Sequence, residues 1–323
     1  MGTVRFSLLR ILADGQICSG ERIGRILGLS EVEVDQLVTE AETLGVHVFR
    51  TGPGYRLEHP IDLYDAKLLA KRLKEECPVL HLEMVDECLS TNTALAARAG
   101  AGAAHGTVLV CEHQGAGRGR RGNIWVSTVG GSVTLSVLWR FSRRTGDLAG
   151  LSLAVAVGVV KGLEGLGVRD VAVKWPNDLF RGEGKLGGIL IETTGGAAGP
   201  IAAIIGIGVN MRLGPVARER IGRPAADIAA GIPAIPSRTA VLVAVLSSVA
   251  SSLELFSREG FPPFRQAWLE RHAWQGRRVV LSRADRRVAE GEVVGIAKDG
   301  ALELASDQGI QRFHNGELSL SLE

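Results

Sequence analysis

The pattern of apolar and polar positions in the first 60 residues predicts helices followed by two short strands. Ser30 and Glu33 are spaced as a capping box at the start of the third helix. The predicted helices are residues 6–13, 20–27 and 31 to about 44, and the predicted strands are residues 46–50 and 55–57. Two helices joined by a short glycine-containing turn and followed by a hairpin are typical of a winged helix-turn-helix domain. A further predicted helix, residues 61–73, leads out of this domain.

From about residue 79 to residue 270 the pattern alternates between strand and helix. The predicted strands are residues 106–112, 132–139, 171–174, 186–194 and 201–209, and the predicted helices are residues 147–166 and 238–256. The short link at residues 181–185 predicts a hairpin, so the sheet is expected to be mixed rather than purely parallel. The fold class expected here is α+β, with one central mixed sheet covered by helices.

The pattern changes again after Trp274. Short strands at residues 279–281, 288–296, 301–305 and 311–313 are separated by Gly and Asp turns, which predicts a small β-barrel. The expected domains are therefore residues 1–64, 65–272 and 273–323.

Composition excludes several classes of protein. Lys and Arg total 37 against 35 Asp and Glu, so no overall field favours nucleic acid or an acidic membrane, and any anion site must be local. The four cysteines lack C-x-x-C spacing and suit reduced thiols rather than zinc or disulfides. The N-terminus does not resemble a secretion signal, and residues 148–160, an apolar run, fall short of the ~20 residues of a membrane span. These features predict a cytoplasmic protein without a membrane partner.

Three arginines stand among glycines in the stretch GAGRGRRGNIWVSTVGG, residues 115–131. Gly117, Gly119 and Gly122 spell G-x-G-x-x-G, but a dinucleotide fingerprint needs a helix directly afterwards and an acid about 20 residues on. Here strand and turn residues follow, and the first acid, Asp147, lies beyond a strand. A solvated basic loop is one interpretation. The other is a flexible loop that passes close to a ligand while its arginines meet negative oxygens.

Three more polar clusters favour the second interpretation. They are Lys-Trp-Pro-Asn-Asp at 174–178, Lys-Leu-Gly-Gly-Ile-Leu-Ile-Glu at 185–192 and Gly-Ile-Gly-Val-Asn-Met at 206–211. Each is predicted to stand where a strand begins or ends, which is the usual place for ligands in open α/β sheets. Together they predict one site.

With these residues in view, the chain resembles the biotin protein ligases, in the form that joins a ligase to a biotin operon repressor. The motifs at 117–122, 174–178 and 185–192 occur in the family's order and at similar spacing, and the resemblance covers nearly the whole length. The family implies a catalytic domain related to class II aminoacyl-tRNA synthetases and lipoate ligases, followed by an SH3-like barrel. Its reaction joins biotin and ATP to give biotinyl-AMP, then transfers biotin to a lysine of a biotin carboxyl carrier protein.

The resemblance also implies roles for individual residues. Contacts to biotin or its adenylate are expected from Ser90, Thr91, Asn92, Gln114, Arg118, Gly119, Arg120 and Lys185. The nucleotide end and adenylate loop are expected to include Gly117, Arg121, Gly122, Trp125, Asn177, Gly187, Gly188 and Asn210. The expected catalytic residues are Lys185, Arg118, Arg120 and Asp178, and Asp178 is also the candidate ligand for Mg²⁺. Cations suit this reaction because a carboxylate must approach a triphosphate that repels it.

The chain departs from the family pattern in two places. Residues 212–235 contain no aromatic side chain for adenine, so aliphatic residues such as Ile228 or Ile232 are expected to replace it. The recognition helix carries five acids and neither Lys nor Arg, which argues against operator DNA because DNA affinity draws on cations that neutralise phosphates. Arg50 and Arg56 on the wing are the residues that could still contact phosphates. A structural role, or one that modulates a homodimer, is therefore expected in preference to repression.

Two other functions remain open from the sequence. One is a lipoate or octanoate transferase of the same fold, which the arginine-rich loop and the polar set around Ser90 and Gln114 disfavour. The other is a transcription regulator that only senses biotinyl-AMP, which Lys185 and Asp178 disfavour because they suit catalysis.

Overall fold

The computed structural model describes residues 3–142, 148–195, 201–283, 286–314 and 318–322. Its N-terminal part consists of three helices and an antiparallel hairpin, as expected. The helices are α1 Val4–Leu12, α2 Gly20–Leu27 and α3 Glu31–Glu42, and the hairpin strands are β1 Val48–Thr51 and β2 Gly54–Leu57. The predicted capping box is confirmed: the Glu33 N–H donates to Ser30, and the Ser30 N–H donates to the Glu33 carboxylate. Gly28 ends α2 with a φ of 72°, in the left-handed region that favours glycine.

The helix predicted at residues 61–73 begins later in the chain than expected, as α4 Ala66–Glu76. Its start is set by Asp65, whose carboxylate accepts hydrogen bonds from the N–H groups of Lys67 and Leu68. The residues before Asp65 are held out of the helix by tertiary contacts. The Tyr64 N–H donates to the buried carboxylate of Glu112 over 2.6 Å.

The centre is a seven-stranded mixed sheet, which confirms the expected class. Its strands are β3 His81–Cys88, β4 Thr107–Gln114, β7 Ser132–Phe141, β8 Val171–Lys174, β9 Asp178–Arg181, β10 Gly184–Thr194 and β11 Ile201–Asn210. The order across the sheet is β3-β4-β7-β11-β10-β9-β8, in which β3 and β4 are parallel and the other neighbours antiparallel. The predicted hairpin is the β9–β10 connection, and the two strands that the sequence did not reveal are β3 and β9.

Two short strands, β5 Gly117–Arg118 and β6 Ile124–Trp125, stand between β4 and β7 along the chain. They pair with each other in an antiparallel hairpin that is separate from the central sheet. The glycine- and arginine-rich stretch is therefore an element of its own.

Helices cover both faces of the central sheet. Helices α6 Leu151–Gly165 and α8 Arg238–Glu259 pack together on one face, and α5 Thr91–Gly100 lies on the other against β4, β7 and β11. Two shorter helices are α7 Pro215–Ile221 and α9 Arg265–Leu269. Helix α6 begins after Gly150, whereas Asp147, the predicted start, lies outside the described residues.

One helix among the described residues, α8, is long and apolar enough to suit a membrane by length and composition. Its mean hydropathy is 1.8, but 61% of that stretch is buried inside the fold. Valines and leucines along it pack into the central core together with those of α6. Helix α8 is therefore a core helix of this domain.

The C-terminal part is a five-stranded antiparallel sheet. Its strands are β12 Arg278–Arg283, β13 Arg286–Ile296, β14 Leu302–Ser306, β15 Gly309–Phe313 and β16 Leu318–Leu322, in the order β15-β14-β13-β12-β16. The last strand was not visible as a separate element in the sequence, and it pairs with β12 rather than with its chain neighbour.

Candidate functional site

A cavity of about 270 Å³ lies over strands β10 and β11 of the central sheet. It is roofed by the β5–β6 hairpin, with a 3₁₀ turn at Arg120–Gly122 between the two strands. No helix follows this hairpin before β7, whereas a dinucleotide-binding fingerprint needs a helix directly after its glycines. The G-x-G-x-x-G stretch is therefore not such a fingerprint. A second cavity of about 530 Å³ adjoins the first, and Trp125 and Lys185 are among the residues that line both.

Nearly all the predicted site residues line these two cavities. The first is lined by Ser90, Thr91, Asn92, Gln114, Arg118, Gly119, Arg120, Arg121, Trp125, Asn177, Asp178, Lys185 and Gly188. Gly122 and Asn210 line the second. Gly117 and Gly187 lie just behind the lining, where a Cβ atom would stand 2.5 Å from the carbonyl oxygens of Trp125 and Gly208, respectively. These two glycines permit close packing of the backbone.

Three glycines form a floor without side chains beneath the cavity. Gly188 of β10 pairs directly with Gly208 of β11, and Gly206 lies two residues away on the same strand. A Cβ on Gly206 would stand 2.3 Å from Asn92 Oδ1, and one on Gly208 would stand 2.6 Å from the Trp125 ring. A Cβ on Gly188 would stand 3.2 Å from Lys185 Nζ. The absence of side chains on the sheet therefore leaves room for Asn92, Trp125 and Lys185.

One end of the cavity is polar, buried and hydrogen-bonded. Ser90 caps α5, and the N–H of Thr91 donates to Gln114 Oε1 over 2.7 Å. The Ser136 hydroxyl lies 2.6 Å from Asn92 Oδ1 and 2.7 Å from Thr91 Oγ1. Each of these side chains is at most 8% exposed. Burial and mutual hydrogen bonds hold the polar groups in fixed orientations, as ligand recognition requires.

The other end of the cavity is cationic. Lys185 Nζ donates to Asp178 Oδ1 over 2.5 Å, and both side chains are about four-fifths buried. The backbone of Lys185 is fixed as well, because its N–H donates to the carbonyl of Pro224 and its carbonyl accepts from Ala226. A bulge in β10 lies between Lys185 and Gly187. The ammonium group is thus directed by a carboxylate and by a tightly bonded backbone.

Lys174, the last residue of β8, adds a second buried ammonium group. Its Nζ lies 4.0 Å from the centroid of the Trp274 ring and 5.4 Å from that of Phe180. The pKa of Lys174 is lowered to about 8, chiefly by burial and also by the charges of Lys185 and Arg223, which together outweigh the opposing effect of Asp178. Because Lys185 and Arg223 add positive charge close to Lys174, a ligand with several negative charges would be stabilised there.

The three arginines of the hairpin have different surroundings. Arg120 is directed inward, where its Nη1 donates to Asn177 Oδ1 over 3.2 Å and burial lowers its pKa. Arg118 lines the cavity and is paired with Glu192 through two contacts of 2.8 and 2.9 Å. Arg121 is exposed at the tip, with a φ of 58°.

Sequence reasoning did not assign a role to several residues of the site. Lys174 lines the first cavity, and Glu192 lies behind the lining, bonded to Asn92 and Arg118. Both stand at the ends of motifs that had been recognised, so their positions were available as signals. Arg223 and residues 318–320 of β16 also line the first cavity, and nothing local in the sequence indicates this. They reach the site only because the segment after α7 and the C-terminal sheet fold over it.

The expectation that Ile228 supports adenine is wrong. Ile228 has no exposed surface and belongs to the central core, and Ile232 packs against the same core without lining either cavity. Ile228 contacts the site through its backbone, because its N–H donates to the carbonyl of Asn210, which lines the second cavity. The apolar side chains that do line the second cavity are Ile124, Trp125, Val126, Ile221 and Ala225.

Both wing arginines contact residues of their own domain, and Arg50 is paired with acids. Arg50 donates to Asp35 and Glu42 over 3.1 Å each, and to Thr39 over 3.0 Å, so its guanidinium lies on α3. The Arg56 guanidinium lies 4.6 Å from the Phe49 ring centroid. The charge of Arg50 is therefore satisfied by the acids of the helix beside it.

Comparisons with known proteins agree with the motifs and the fold. Residues 87–210 match the model of the Biotin/lipoate A/B protein ligase family, and residues 276–321 match the Biotin protein ligase C terminal domain. The chain is 36% identical over 320 residues to the bifunctional ligase/repressor BirA of Salmonella typhimurium, with 98% of each chain covered. It is 33% identical to the biotin--[acetyl-CoA-carboxylase] ligase of Mycobacterium tuberculosis, over 68% of this chain and 79% of that one. The biotin protein ligase of Aquifex aeolicus, solved in complex with biotin and ATP, superimposes with a TM-score of 0.65 at 27% identity, covering 75% of this chain and 99% of that chain.

Proposed function

The chain belongs to the biotin protein ligase family, and from this premise we propose that it activates biotin with ATP and transfers the biotinyl group to a carrier-protein lysine. The observation that carries this function is the two-ended cavity. Its buried polar end, around Asn92 and Gln114, suits a ureido ring, which offers both donors and an acceptor. Its cationic end, around Lys185 and Arg120, suits a carboxylate that must meet a triphosphate.

In the first step, a biotin carboxylate oxygen attacks the α-phosphorus of ATP, and pyrophosphate leaves with the electron pair of the broken P–O bond. The two reactants repel each other, so fixed positive charge lowers the barrier. Lys185 lines the cavity, and its proposed role is to contact both the carboxylate and the α-phosphate. Arg120, which is bonded to Asn177, is proposed to contact the phosphate from the hairpin side.

In the second step, the amine of the acceptor lysine attacks the carbonyl carbon of biotinyl-AMP, and AMP leaves. An amide forms, the acyl–phosphate bond breaks, and the amine loses one proton. Asp178 is the carboxylate that lies against Lys185 in the cavity, and it is the candidate acceptor of that proton. Adenine is assigned to the second cavity, against Trp125 and Ile221, with Asn210 at its edge.

Magnesium is expected to accompany ATP. Among the described residues no cluster of three His, Cys, Asp or Glu side chains could hold a metal alone. That suits Mg²⁺, which is commonly held by one or two carboxylates together with substrate phosphates. Asp178 is the residue that would hold it, and the metal would neutralise phosphate charge.

The proposed recognition of biotin predicts a defect in the variant Gly206→Ala. The new Cβ would stand 2.3 Å from Asn92 Oδ1, so the amide must move away from its place. We expect the KM for biotin to rise by about tenfold, the effect of losing one good hydrogen bond, with little change in the KM for ATP. Steady-state kinetics measure this, and Gly165→Ala, where a Cβ meets nothing within 4 Å, is the matched control. An unchanged KM for biotin would contradict the assignment of Asn92.

The pKa of Lys174, about 8, predicts a pH dependence of ATP binding. The ammonium group is charged below its pKa and neutral above it, so one phosphate-binding charge is lost as the pH rises through 8. We expect affinity for ATP to fall by up to about tenfold between roughly pH 7 and pH 10. In Lys174→Arg the charge persists, and the profile should be flatter. Superimposable pH profiles for the two proteins in calorimetric titrations would rule this role out.

The ligase function itself is tested by the mass of an acceptor. The protein is incubated with ATP, Mg²⁺, biotin and a carrier domain that contains the target lysine. The expected result is a mass increase of one biotinyl group, absent when that lysine is replaced by arginine. In parallel incubations with lipoate or octanoate in place of biotin, labelling by either acid but not by biotin would identify the transferase of the same fold instead. Tight biotinyl-AMP binding without labelling would identify a sensor.

We further propose that residues 1–64 form a winged helix-turn-helix domain, residues 65–272 the catalytic domain and residues 273–323 an SH3-like domain. The four free cysteines favour a reducing, cytoplasmic setting. A homodimer stays a prediction.

Operator binding is disfavoured, because helix α3 is acidic and Arg50 is paired with Asp35 and Glu42. A titration of the upstream DNA at several salt concentrations, with biotin and ATP present, tests this. Tight binding with a steep salt dependence would contradict it.

A further inference from the structure

We propose that Glu192 is a positioning residue that couples the ureido-recognising amide of Asn92 to Arg118 of the hairpin above the cavity. The proposal rests on the ligase function argued above and deepens it. It assigns a role to a carboxylate that lies beside the polar end of the cavity, away from the reacting atoms.

Glu192 joins two parts of the chain that are far apart in sequence. It lies near the end of β10, opposite Ile204 of β11. Its Oε2 accepts a hydrogen bond of 2.8 Å from Asn92 Nδ2, and the same oxygen lies 2.8 Å from Arg118 Nη2. Its Oε1 lies 2.9 Å from the same Arg118 nitrogen. One carboxylate thus holds both the first turn of α5 and the first strand of the hairpin.

These contacts decide how the Asn92 amide is oriented. The Asn92 Nδ2 group donates one hydrogen bond to Glu192 Oε2 over 2.8 Å and another to the Leu190 carbonyl over 3.2 Å. The Ser136 hydroxyl is 2.6 Å from Oδ1, which leaves one lone pair of that oxygen for a ligand. A reversed amide would direct its oxygen at two acceptors, the carboxylate and the carbonyl, which is unfavourable. Glu192 therefore makes Asn92 an acceptor for a ureido N–H.

The same carboxylate holds the hairpin. Arg118 belongs to β5, whose partner β6 carries Trp125 onto Gly208 of the floor. The Arg118–Glu192 pair is partly exposed, at 47% and 36%, so it can open and close as the cavity is filled. Arg118 then helps to retain the adenylate by holding the hairpin to Glu192. Because the same carboxylate orients the Asn92 amide, a protein that holds the hairpin closed also has Asn92 in the orientation that accepts biotin.

The test compares Glu192→Gln, Arg118→Ala and the double variant with the wild-type protein. Glu183→Gln, at an exposed turn carboxylate, is the matched control. The readouts are the affinity for biotin alone by calorimetry, the rate of biotinyl-AMP release, and Tm. We expect Glu192→Gln to weaken biotin binding and to speed adenylate release, each by about tenfold, with Tm unchanged. Glu192→Asp, which keeps the charge, should recover part of both effects.

The double variant separates coupling from independent roles. If Arg118 acts through Glu192, Arg118→Ala will have little further effect on adenylate release in the Glu192→Gln background. Additive effects, or wild-type biotin affinity in Glu192→Gln, would overturn the proposal while leaving the ligase function standing. A wild-type protein that binds biotin but does not label the carrier would remove the ligase function, and the calorimetric comparison would still decide the role of Glu192. A wild-type protein that binds no biotin would overturn both.

Discussion

Replacing Lys185 by alanine is expected to slow biotinyl-AMP formation by a factor of about 10²–10³, the cost of removing one preorganised charge-stabilising donor from a water-poor site. Lys185 lines both cavities and is fixed at both ends, by Asp178 at its ammonium group and by Pro224 and Ala226 at its backbone. Its loss would also leave the Asp178 carboxylate next to the incoming phosphates, which adds repulsion. The kcat of biotin-dependent exchange of pyrophosphate into ATP measures the first step alone.

The controls for Lys185 separate charge from geometry. Lys161→Ala removes an exposed lysine from α6, and its exchange rate should match the wild type. Lys185→Arg keeps the charge but has a larger, planar head group, so we expect it to recover only part of the rate. If Lys185→Ala retained half or more of the wild-type exchange rate, Lys185 would not be the residue that bridges the two substrates.

Replacing Glu112 by leucine is expected to cost about 3–5 kcal/mol of unfolding free energy, which corresponds to a fall in Tm of roughly 6–20 °C. Glu112 and Arg238 form an ion pair of 2.6 Å with side chains only 0% and 1% exposed. The remaining donors of Arg238 bond the carbonyls of Ser132 and Asp62, and the second oxygen of Glu112 accepts the Tyr64 N–H. Removal of Glu112 would leave a buried guanidinium and a buried N–H uncompensated.

This buried pair connects three parts of the fold: strand β4, the start of α8 and the segment before α4. Glu76→Leu is the control, because it removes an exposed partner of Arg72 in α4 and should cost no more than about 1 kcal/mol. Denaturant unfolding followed by circular dichroism measures both variants. A loss below about 1 kcal/mol for Glu112→Leu would mean that water or a neighbouring group neutralises Arg238 once its partner is gone.

Secondary structure was predictable where the local chain contains its own start and stop signals. The Ser30–Glu33 capping box and the Gly28 turn placed α2 and α3 within a few residues. The prediction at residues 61–73 was wrong at its start, because the backbone of Tyr64 is bonded to Glu112, 48 residues away. The edge strand β3 was missed because most of its side chains are half-buried and its one buried residue is the polar Asp86, so burial does not alternate along it.

The candidate site was likewise predictable where short motifs supply its residues, and was not predictable where strand pairing sets its shape. The motifs at 117–122, 174–178 and 185–192 contain nearly half of the residues that line the first cavity, and their order along the chain was sufficient to recognise the family. The pairing of Gly188 with Gly208 is a matter of strand register, and it leaves the floor of the cavity without side chains. The sequence does not show this register, so it could not predict that the Trp125 ring packs on Gly208 or that the Asn92 amide packs on Gly206.

By itself, the sequence determined the family, the chemistry and the charged groups at the centre of the proposed site, because these depend on residue types in short motifs. Only the tertiary structure decided which charges are available to a ligand. Arg118 faces Glu192, Arg50 faces α3, and Lys174 is enclosed by Trp274. The physical reason is that a charge is strengthened, neutralised or shifted in pKa by neighbours within a few ångströms. Those neighbours come from distant parts of the chain, which only the fold brings together.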